Sequence, residues 1–145
     1  AVEHVKLIVD SNKGSINLNL NAKNPFINGN SNHLENIIIN ILDNAVKYSK
    51  ASPFINVSTK NIDDNLEICV QDNGIGMDKN TQKMVFEKFY REQNGDIHDI
   101  KGHGLGLSYV KKIVDFHKGK IMLESKKGSG TKFHINIKTL KDEIK

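Results

Sequence analysis

A long amphipathic helix is the sequence feature that most constrains the fold of this chain. From about His33 to Tyr48, apolar residues recur at helical spacing and fall on one broad face when projected at about 100° per residue. These residues are Leu34, Ile37, Ile38, Ile41, Leu42 and Ala45. Such a face must be buried against a second layer of structure. Asn32 and Glu35 have the spacing of a capping box at the start of this helix.

Short segments of strand character supply that second layer. Apolar residues alternate with asparagines from Ile16 to Leu20, which is the pattern of a half-buried strand. Further strands are predicted at Ile55–Thr59 and Leu66–Gln71, joined by a turn at 61–65, and at Lys120–Glu124 and Thr131–Ile137, joined by a turn with Gly128 and Gly130. Further helices are predicted at 1–9, Gln82–Tyr90 and Leu107–His117, the last one ended by Gly119.

These segments predict an α+β fold in one domain, residues 1–145. Because helices and antiparallel strand pairs are mixed, we expect a two-layer α/β sandwich. In this arrangement a mixed, mostly antiparallel sheet is covered on one face by helices.

The composition excludes several classes of protein. The lone Cys69 rules out an intrachain disulfide and a cysteine-cluster metal site, and we expect it to be a buried small hydrophobe. No apolar run approaches the roughly 20 residues of a membrane-spanning helix, so we expect a soluble domain without membrane contact, whatever a longer parent protein carries. The single cysteine is compatible with a reducing cytoplasm. The net charge of +4 comes from scattered lysines, whereas a nucleic-acid binder would cluster them with aromatic residues.

The polar face of the long helix carries an unusual stripe of asparagines. Asn36, Asn40 and Asn44 follow one another at i, i+4 spacing, although asparagine is a poor residue for a helix interior. Amide oxygens are suitable ligands for Mg²⁺, and Lys47 one turn further along suits a phosphate. An asparagine-rich composition would also explain the stripe, so this pattern alone leaves both readings open.

Two glycine-bearing loops form the second chemical signal. Asp72–Met77 directly follows an apolar strand, and Gly102–Ser108 opens a helix. Such loops either bind phosphate through backbone N–H groups or form tight turns. The spacing of their glycines matches neither a Walker loop nor a dinucleotide-binding fingerprint, and the motifs of eukaryotic protein kinases are absent from the sequence.

Taken in order, five segments resemble the boxes of the catalytic domain of sensor histidine kinases. This domain has the Bergerat ATP-binding fold and belongs to the superfamily of gyrase, heat-shock chaperone and mismatch-repair ATPases (GHKL). The segments are an N box at Asn36–Ser49, a G1 box at Asp72–Met77, an F box at Phe86–Arg91, a G2 box at Gly102–Leu107 and a G3 turn at Gly128–Thr131. The resemblance spans residues 16–137.

The resemblance implies ATP and Mg²⁺ as ligands and a role for each matching residue. Asp72, with Thr131 beside it, would accept a hydrogen bond from the adenine amino group, and Tyr48 would lie near the base. Asn44, together with Asn40, would hold Mg²⁺ at the phosphates.

The remaining roles concern the phosphates. Lys47 and Arg91 would contact phosphate oxygens, so the catalytic set comprises Asn40, Asn44, Lys47 and Arg91. The other nucleotide-binding positions are Gly74, Gly76, Met77, Gly102, Gly104, Leu105, Gly106 and Leu107.

The function implied is transfer of the ATP γ-phosphoryl group to a histidine on a separate dimerisation domain, followed by transfer to a response regulator. Residues 1–14 would be the remnant of a linker from that domain, residues 91–106 the ATP lid, and the isolated chain a monomer. His98-Asp99-Ile100-Lys101 resembles the start of an acceptor motif. It lacks the following Thr-Pro and lies within the predicted lid, so we expect no acceptor histidine in this chain.

Three other classes of function are compatible with parts of the sequence. An ATP hydrolase of the gyrase or mismatch-repair type would carry a glutamate general base where this chain has Asn40. An anti-sigma-type serine kinase, or a non-catalytic regulatory ATP-binding module, would share the glycine loops. A nucleic-acid-binding domain has only the basic isoelectric point in its favour.

Overall fold

The computed structural model describes residues 2–49, 52–87 and 106–140. The elements follow one another within these ranges as α1 (Val2–Ser11), β1 (Ser15–Leu20), α2 (Ser31–Lys47), β2 (Phe54–Ile62), β3 (Asn65–Asp72), α3 (Lys79–Met84), α4 (Gly106–Phe116), β4 (Lys120–Ser125) and β5 (Thr131–Lys138). The predicted helices and strands are therefore present, with boundaries that differ by a few residues. None of the helices in these ranges is long and apolar enough to cross a membrane.

A five-stranded sheet organises the fold, in the order β1-β2-β3-β5-β4. Strand β1 runs parallel to β2, because the chain crosses over through α2 between them, and the other neighbouring strands are antiparallel. The prediction of a mixed, mostly antiparallel sheet is therefore confirmed. Strands β2 and β3 are longer than predicted, and their connection is the tight turn Asp63-Asp64 rather than residues 61–65.

The core lies between the helices and one face of the sheet. Alternate residues of β2, β3 and β5 point to this face because successive side chains of a strand point to opposite sides. Its buried members are Ile55, Val57, Leu66, Val70, Phe133, Ile135 and Ile137 on the strands, and Val5, Val9, Ile37, Ile41, Leu42, Ala45, Leu107, Val110, Ile113 and Val114 on the helices. The apolar face predicted for α2 is thus confirmed as a core face.

Strand β1 is less buried than its sequence pattern predicted. Leu18 and Leu20 are register partners of Val57 and Thr59 and lie on the helix side of the sheet. They are nevertheless 47% and 61% exposed. The alternation predicted the strand correctly, but its position at the edge of the sheet leaves this end without a covering helix.

The opposite face of the sheet is polar. Cys69 lies there, between its register partners Ser58 and His134, so the prediction of a buried core cysteine is wrong. Burial raises the pKa of its thiol, opposed mainly by the positive charge of Lys132. His134 bridges two carboxylates on this face, with Glu124 at 2.6 Å and Glu67 at 3.5 Å.

The ends of α2 differ from the predicted capping box. The N-cap is Asn30, whose side chain accepts a hydrogen bond from the N–H of His33 at 3.1 Å. Asn32 is already inside the helix, so the Asn32/Glu35 capping box is wrong. The spacing rule selected the wrong one of two neighbouring asparagines, because both have the right chemistry and only the backbone conformation distinguishes them.

The start of one other helix was predicted wrongly, and the residue that ends another differs from the expected one. The helix expected at Gln82–Tyr90 begins at Lys79, because Asp78 caps it through the N–H of Thr81 at 2.7 Å, and it ends at Met84; residues 88–90 lie outside the described ranges. At the end of α4, Lys118 rather than Gly119 takes the left-handed conformation, with φ of 57°. Gly119 is required by space instead, since a Cβ there would lie 2.5 Å from a backbone oxygen of β5.

Candidate functional site

The polar face of α2 meets the start of α4 at Asn40. The Asn40 amide Nδ2 donates a hydrogen bond to the carbonyl of Asn36 at 2.8 Å, which orients the side chain. Its oxygen Oδ1 faces Gly106, where a Cβ would lie only 3.3 Å away. Asn44 follows one turn further along, half-buried, and Lys47 is exposed at the end of the helix. The asparagine stripe therefore borders the helix that the second glycine loop opens.

The C-terminal end of α2 meets the first glycine loop. The N–H of Ile75 donates to the carbonyl of Tyr48 at 2.9 Å. A Cβ at Gly74 would lie 2.5 Å from the same carbonyl oxygen, so only glycine permits this approach. Because Asn40 and Tyr48 are eight residues apart on one helix, the two contacts lie about 12 Å from each other along the helix axis.

Asp72 is the last residue of β3 and the first residue of the first glycine loop. Its Oδ1 accepts hydrogen bonds from the N–H of Gly74 at 2.8 Å and of Thr131 at 3.2 Å. In the ranges that the structure describes, no chain donor is bonded to Oδ2. Burial raises the pKa of the Asp72 carboxyl, and the two N–H donors oppose that shift. A half-buried carboxylate with one uncommitted oxygen is a strong hydrogen-bond acceptor for a ligand.

The turn between β4 and β5 packs directly against this loop. A Cβ at Gly130 would lie 2.1 Å from the carbonyl oxygen of Asp72, and one at Gly76 would lie 2.1 Å from that of Lys126. Both glycines also have positive φ, 87° and 70°. The N–H of Gly128 donates to Ile75 at 2.6 Å. Backbone therefore packs on backbone here, which brings Thr131 beside Asp72.

Two residues outside the predicted set hold these loops together. Ser125, at the end of β4, accepts from the N–H of Met77 at 2.8 Å and bonds to Gly130 and Thr131. The Gln82 side chain donates to the carbonyls of Met77 and Ser125 at 2.8 and 3.0 Å. Neither residue lies in a recognisable motif, and the partners are up to 48 residues apart in sequence, so no local pattern could have identified them.

The structure brings most of the predicted site residues together. Asn40, Gly106, Tyr48, Gly74 and Asp72 form the contacts above, joined by Gly76 and Thr131 of the packed loops. Two of the predicted site residues have side chains that pack in or against the core and do not face a ligand. Leu107 is only 8% exposed within the core, so it would reach a ligand through its backbone. Met77 packs against the core, and its N–H and carbonyl are already bonded to Ser125 and Gln82. Arg91, Gly102, Gly104 and Leu105 lie outside the described residues.

The chemistry of this site separates into two parts. One end offers carboxylate and hydroxyl oxygens at Asp72 and Thr131, which suit a hydrogen-bond donor. The other offers the amide oxygens of α2 and the first N–H groups of α4, which suit a hard cation and phosphate oxygens. Among the described residues, no group of three or more His, Cys, Asp or Glu side chains is placed to hold a metal ion. A cation here would therefore depend on amide and phosphate oxygens.

Comparison with known proteins agrees with this geometry. The family model described as "Histidine kinase-, DNA gyrase B-, and HSP90-like ATPase" matches residues 29–141. The sensor protein RprX of Bacteroides fragilis is 49% identical over 139 residues, which cover 94% of this chain and 27% of RprX. The chain thus spans about a quarter of the length of this curated relative.

Solved structures show the same fold. The mycobacterial sensor histidine kinase MprB has a TM-score of 0.73 at 26% identity, over 92% of this chain and 93% of the MprB chain. ShkA, solved at full length in complex with AMPPNP, has a TM-score of 0.82 at 23% identity, over 96% of this chain and 29% of ShkA. At that identity the likeness to ShkA shows the fold alone.

Proposed function

The chain belongs to the histidine kinase-, DNA gyrase B- and HSP90-like ATPase family as an ATP-binding catalytic domain of the histidine-kinase type, and we propose that it binds Mg-ATP in the site described above and supplies the γ-phosphoryl group to a histidine on another domain. The observation that carries this proposal is the double contact of α2, with Gly106 at Asn40 and with the Asp72 loop at Tyr48. Helix α2 thereby connects the part of the site that is rich in hydrogen-bond acceptors with the part that is proposed to bind phosphate.

The adenine base binds at the Asp72 end in this proposal. The adenine amino group is a hydrogen-bond donor, whereas guanine carries an oxygen acceptor at the same position. Asp72 Oδ2 is the matching acceptor, and Gly74 is small enough for a base to approach the loop. Tyr48 lies at the adjacent end of α2, where its ring can border the base.

The phosphates and Mg²⁺ bind along the polar face of α2. Asn44 and Asn40 are the residues that would hold the ion. Asn40 Nδ2 is bonded to Asn36, and in the described part of the chain no donor is bonded to Asn40 Oδ1. When bound, Mg²⁺ neutralises negative charge on the phosphate oxygens. Lys47 adds a positive charge at the end of the same face, and the N–H groups of α4 orient the phosphate chain. Arg91, Gly102, Gly104 and Leu105 complete the phosphate contacts in this proposal.

In this proposal, the phosphoryl acceptor and the later partner lie outside this chain. The chain spans about a quarter of RprX, and its own sequence offers only the incomplete motif at His98. We propose that a histidine on a dimerisation domain attacks the γ-phosphate and that a response regulator then receives the group. The domain contributes positioning and charge neutralisation rather than a covalent intermediate.

The alternative functions are less favoured. An anti-sigma-type serine kinase or a non-catalytic module would share the fold, but the similar proteins are named sensor proteins and sensor histidine kinases. A hydrolase needs a general base near the γ-phosphate, and the amide of Asn40 cannot accept a proton. We therefore expect slow hydrolysis by the isolated domain.

Calorimetric titration of the chain with a non-hydrolysable ATP analogue tests the proposal. We expect binding that strengthens with Mg²⁺ and that is weaker for the matching GTP analogue. Asn44→Ala should remove the Mg²⁺ enhancement and weaken binding in its presence at least about tenfold, a change of about 1.4 kcal/mol. No binding of either analogue would contradict the proposed function.

Asn36→Ala is the matched control for this variant. Asn36 lies on the same stripe two turns before Asn44 and is exposed, and its bond to Asn40 is made by the backbone carbonyl rather than by the side chain. Its side chain should therefore be dispensable for binding. An equal loss of Mg²⁺ response in both variants would mean that the stripe acts through helix stability, and the ligand role of Asn44 would be wrong.

A further inference from the structure

The hydrogen bonds of Ser125 determine whether the neighbouring hydroxyl of Thr131 donates its proton or accepts one. Its Oγ accepts from the N–H of Met77 at 2.8 Å, lies 2.8 Å from the carbonyl oxygen of Gly130, and lies 2.9 Å from Oγ1 of Thr131. Ser125 thus contacts both loops that surround Asp72. Gln82 secures this arrangement by donating to the carbonyls of Met77 and Ser125.

The available protons determine the direction of each bond. A hydroxyl has one proton and two lone pairs, whereas a carbonyl oxygen can only accept. Gly130 is buried, and leaving its carbonyl without a donor would be costly. The Ser125 proton therefore goes to Gly130. The bond between the two hydroxyls must then be donated by Thr131, which leaves the Ser125 oxygen with one bond donated and two accepted.

The consequence lies at Thr131, which is 6% exposed and whose N–H is bonded to Asp72. Because its only hydroxyl proton is committed to Ser125, the hydroxyl can offer a ligand or a bridging water only acceptor lone pairs. Asp72 Oδ2, beside it, is also an acceptor. Both groups match the amino group of adenine, and both oppose the oxygen at the same position of guanine.

We propose that Ser125 is a specificity-determining residue for the purine base, acting through the Thr131 hydroxyl. This inference rests on the proposed function, since it needs the base to bind beside Asp72. Ser125 does not touch the nucleotide and is a positioning residue. It holds Thr131 as an acceptor and thereby favours ATP over GTP. Without Ser125, the Thr131 proton is released and can turn toward a guanine oxygen.

The test compares affinities for non-hydrolysable analogues of ATP and GTP, measured with Mg²⁺ by calorimetry. Ser125→Ala should reduce the preference for ATP over GTP about tenfold, by relieving the mismatch with guanine. Ser125→Thr, which restores a hydroxyl, should recover much of the preference. In a Thr131→Val background, Ser125→Ala should change the preference no further, because the hydroxyl that it orients is gone.

Ser129→Ala is the matched control, since Ser129 is an exposed serine in the same turn; it should leave both affinities unchanged. A purely structural role of Ser125 predicts that both nucleotides weaken equally and that the effect persists in the Thr131→Val background, which would overturn the inference. A wild-type chain that binds neither analogue would refute the proposed function instead.

A second measurement is needed if Ser125→Ala does not fold, as judged by circular dichroism. Thr131→Val alone should then weaken binding of the ATP analogue without weakening that of the GTP analogue. An equal or larger loss for GTP would show that the Thr131 hydroxyl donates to the base, and the inference would be wrong.

Discussion

At the scale of single residues, the candidate site depends on polar groups that the fold holds in unfavourable surroundings. Asp72 is a half-buried carboxyl whose pKa is raised by burial, and two N–H groups of its own chain only partly offset that burial. Such perturbed groups are common at ligand sites, where the ligand supplies the missing partner. We therefore expect Asp72 to contribute to ligand binding at a cost to the stability of the free domain.

Asp72→Asn tests this trade-off. The asparagine oxygen can accept from Gly74 and Thr131 as before, but the side chain carries no charge. Because the folded-state pKa lies above the ordinary value of 3.8, wild-type stability from this group declines as pH rises through that value and through the raised pKa. We therefore expect the variant to gain stability relative to wild type over this pH range, as measured by urea denaturation from about pH 4 to 7.

The same variant should lose affinity for the ATP analogue in calorimetry, because the amide presents a donor toward the adenine amino group. Greater stability of wild type that increases with pH would contradict the interpretation of the Asp72 carboxyl. Unchanged nucleotide affinity would remove its role at the base.

At the scale of elements, α2 is the most important for the geometry of the site, because both glycine loops contact it. Its apolar stripe is buried against the sheet while its polar stripe borders the site, so the position of the helix determines the distance between the two ends of the site. That position begins at the N-cap, where the side chain of Asn30 accepts from the N–H of His33.

Asn30→Ala should destabilise the domain by about 1 kcal/mol through loss of this cap. Asn32→Ala is the matched comparison: it changes the residue that the spacing rule places at the start of the helix, yet Asn32 is exposed inside α2. Alanine is the better helix former there, so the change should stay within about 0.5 kcal/mol or be stabilising. Denaturant midpoints with unchanged slopes measure both. Equal losses for the two variants would favour a capping box at Asn32 after all.

At the scale of the whole molecule, the site exists because two loops distant in sequence pack backbone to backbone. Gly128 and Gly130 lie in the same turn and have almost equal φ, 89° and 87°. A Cβ at Gly128 would meet nothing within 4 Å, whereas one at Gly130 would lie 2.1 Å from the carbonyl oxygen of Asp72. Replacing each glycine by alanine therefore separates two contributions to the free energy of unfolding. At Gly128 only the left-handed conformation is unfavourable, whereas at Gly130 the Cβ also clashes with another loop.

Gly128→Ala should destabilise the fold by roughly 1–2 kcal/mol, the cost of a left-handed conformation for a residue with a Cβ. Gly130→Ala should cost a further 1–3 kcal/mol or so, because the loops must move apart, and it should also weaken nucleotide binding by displacing Asp72. Denaturation and calorimetry on both variants measure these effects. Equal stability of the two variants would show that the loops do not pack this closely.

The sequence by itself determined the secondary structure and the family. Local periodicity was sufficient for α2, α4 and the β-hairpins, since helix and strand impose different spacings on apolar residues within a few positions. The order of the five boxes was sufficient to select Asn40, Asn44, Asp72 and Thr131 as candidate ligand-binding residues. Element ends were less accurate, as at Asn30 and Asp78, because neighbouring residues with equal capping chemistry differ only in backbone conformation.

The tertiary structure alone decided how these segments meet. The order β1-β2-β3-β5-β4, with β1 parallel to β2, depends on which edges pair, and no local pattern encodes that choice. The bonds of Thr131 to Asp72 and of Met77 to Ser125 join residues 59 and 48 positions apart. Neither Ser125 nor Gln82 lies in a recognisable sequence motif. Their hydrogen bonds exist because packing of the core brings the ends of β3, β4 and β5 to one place.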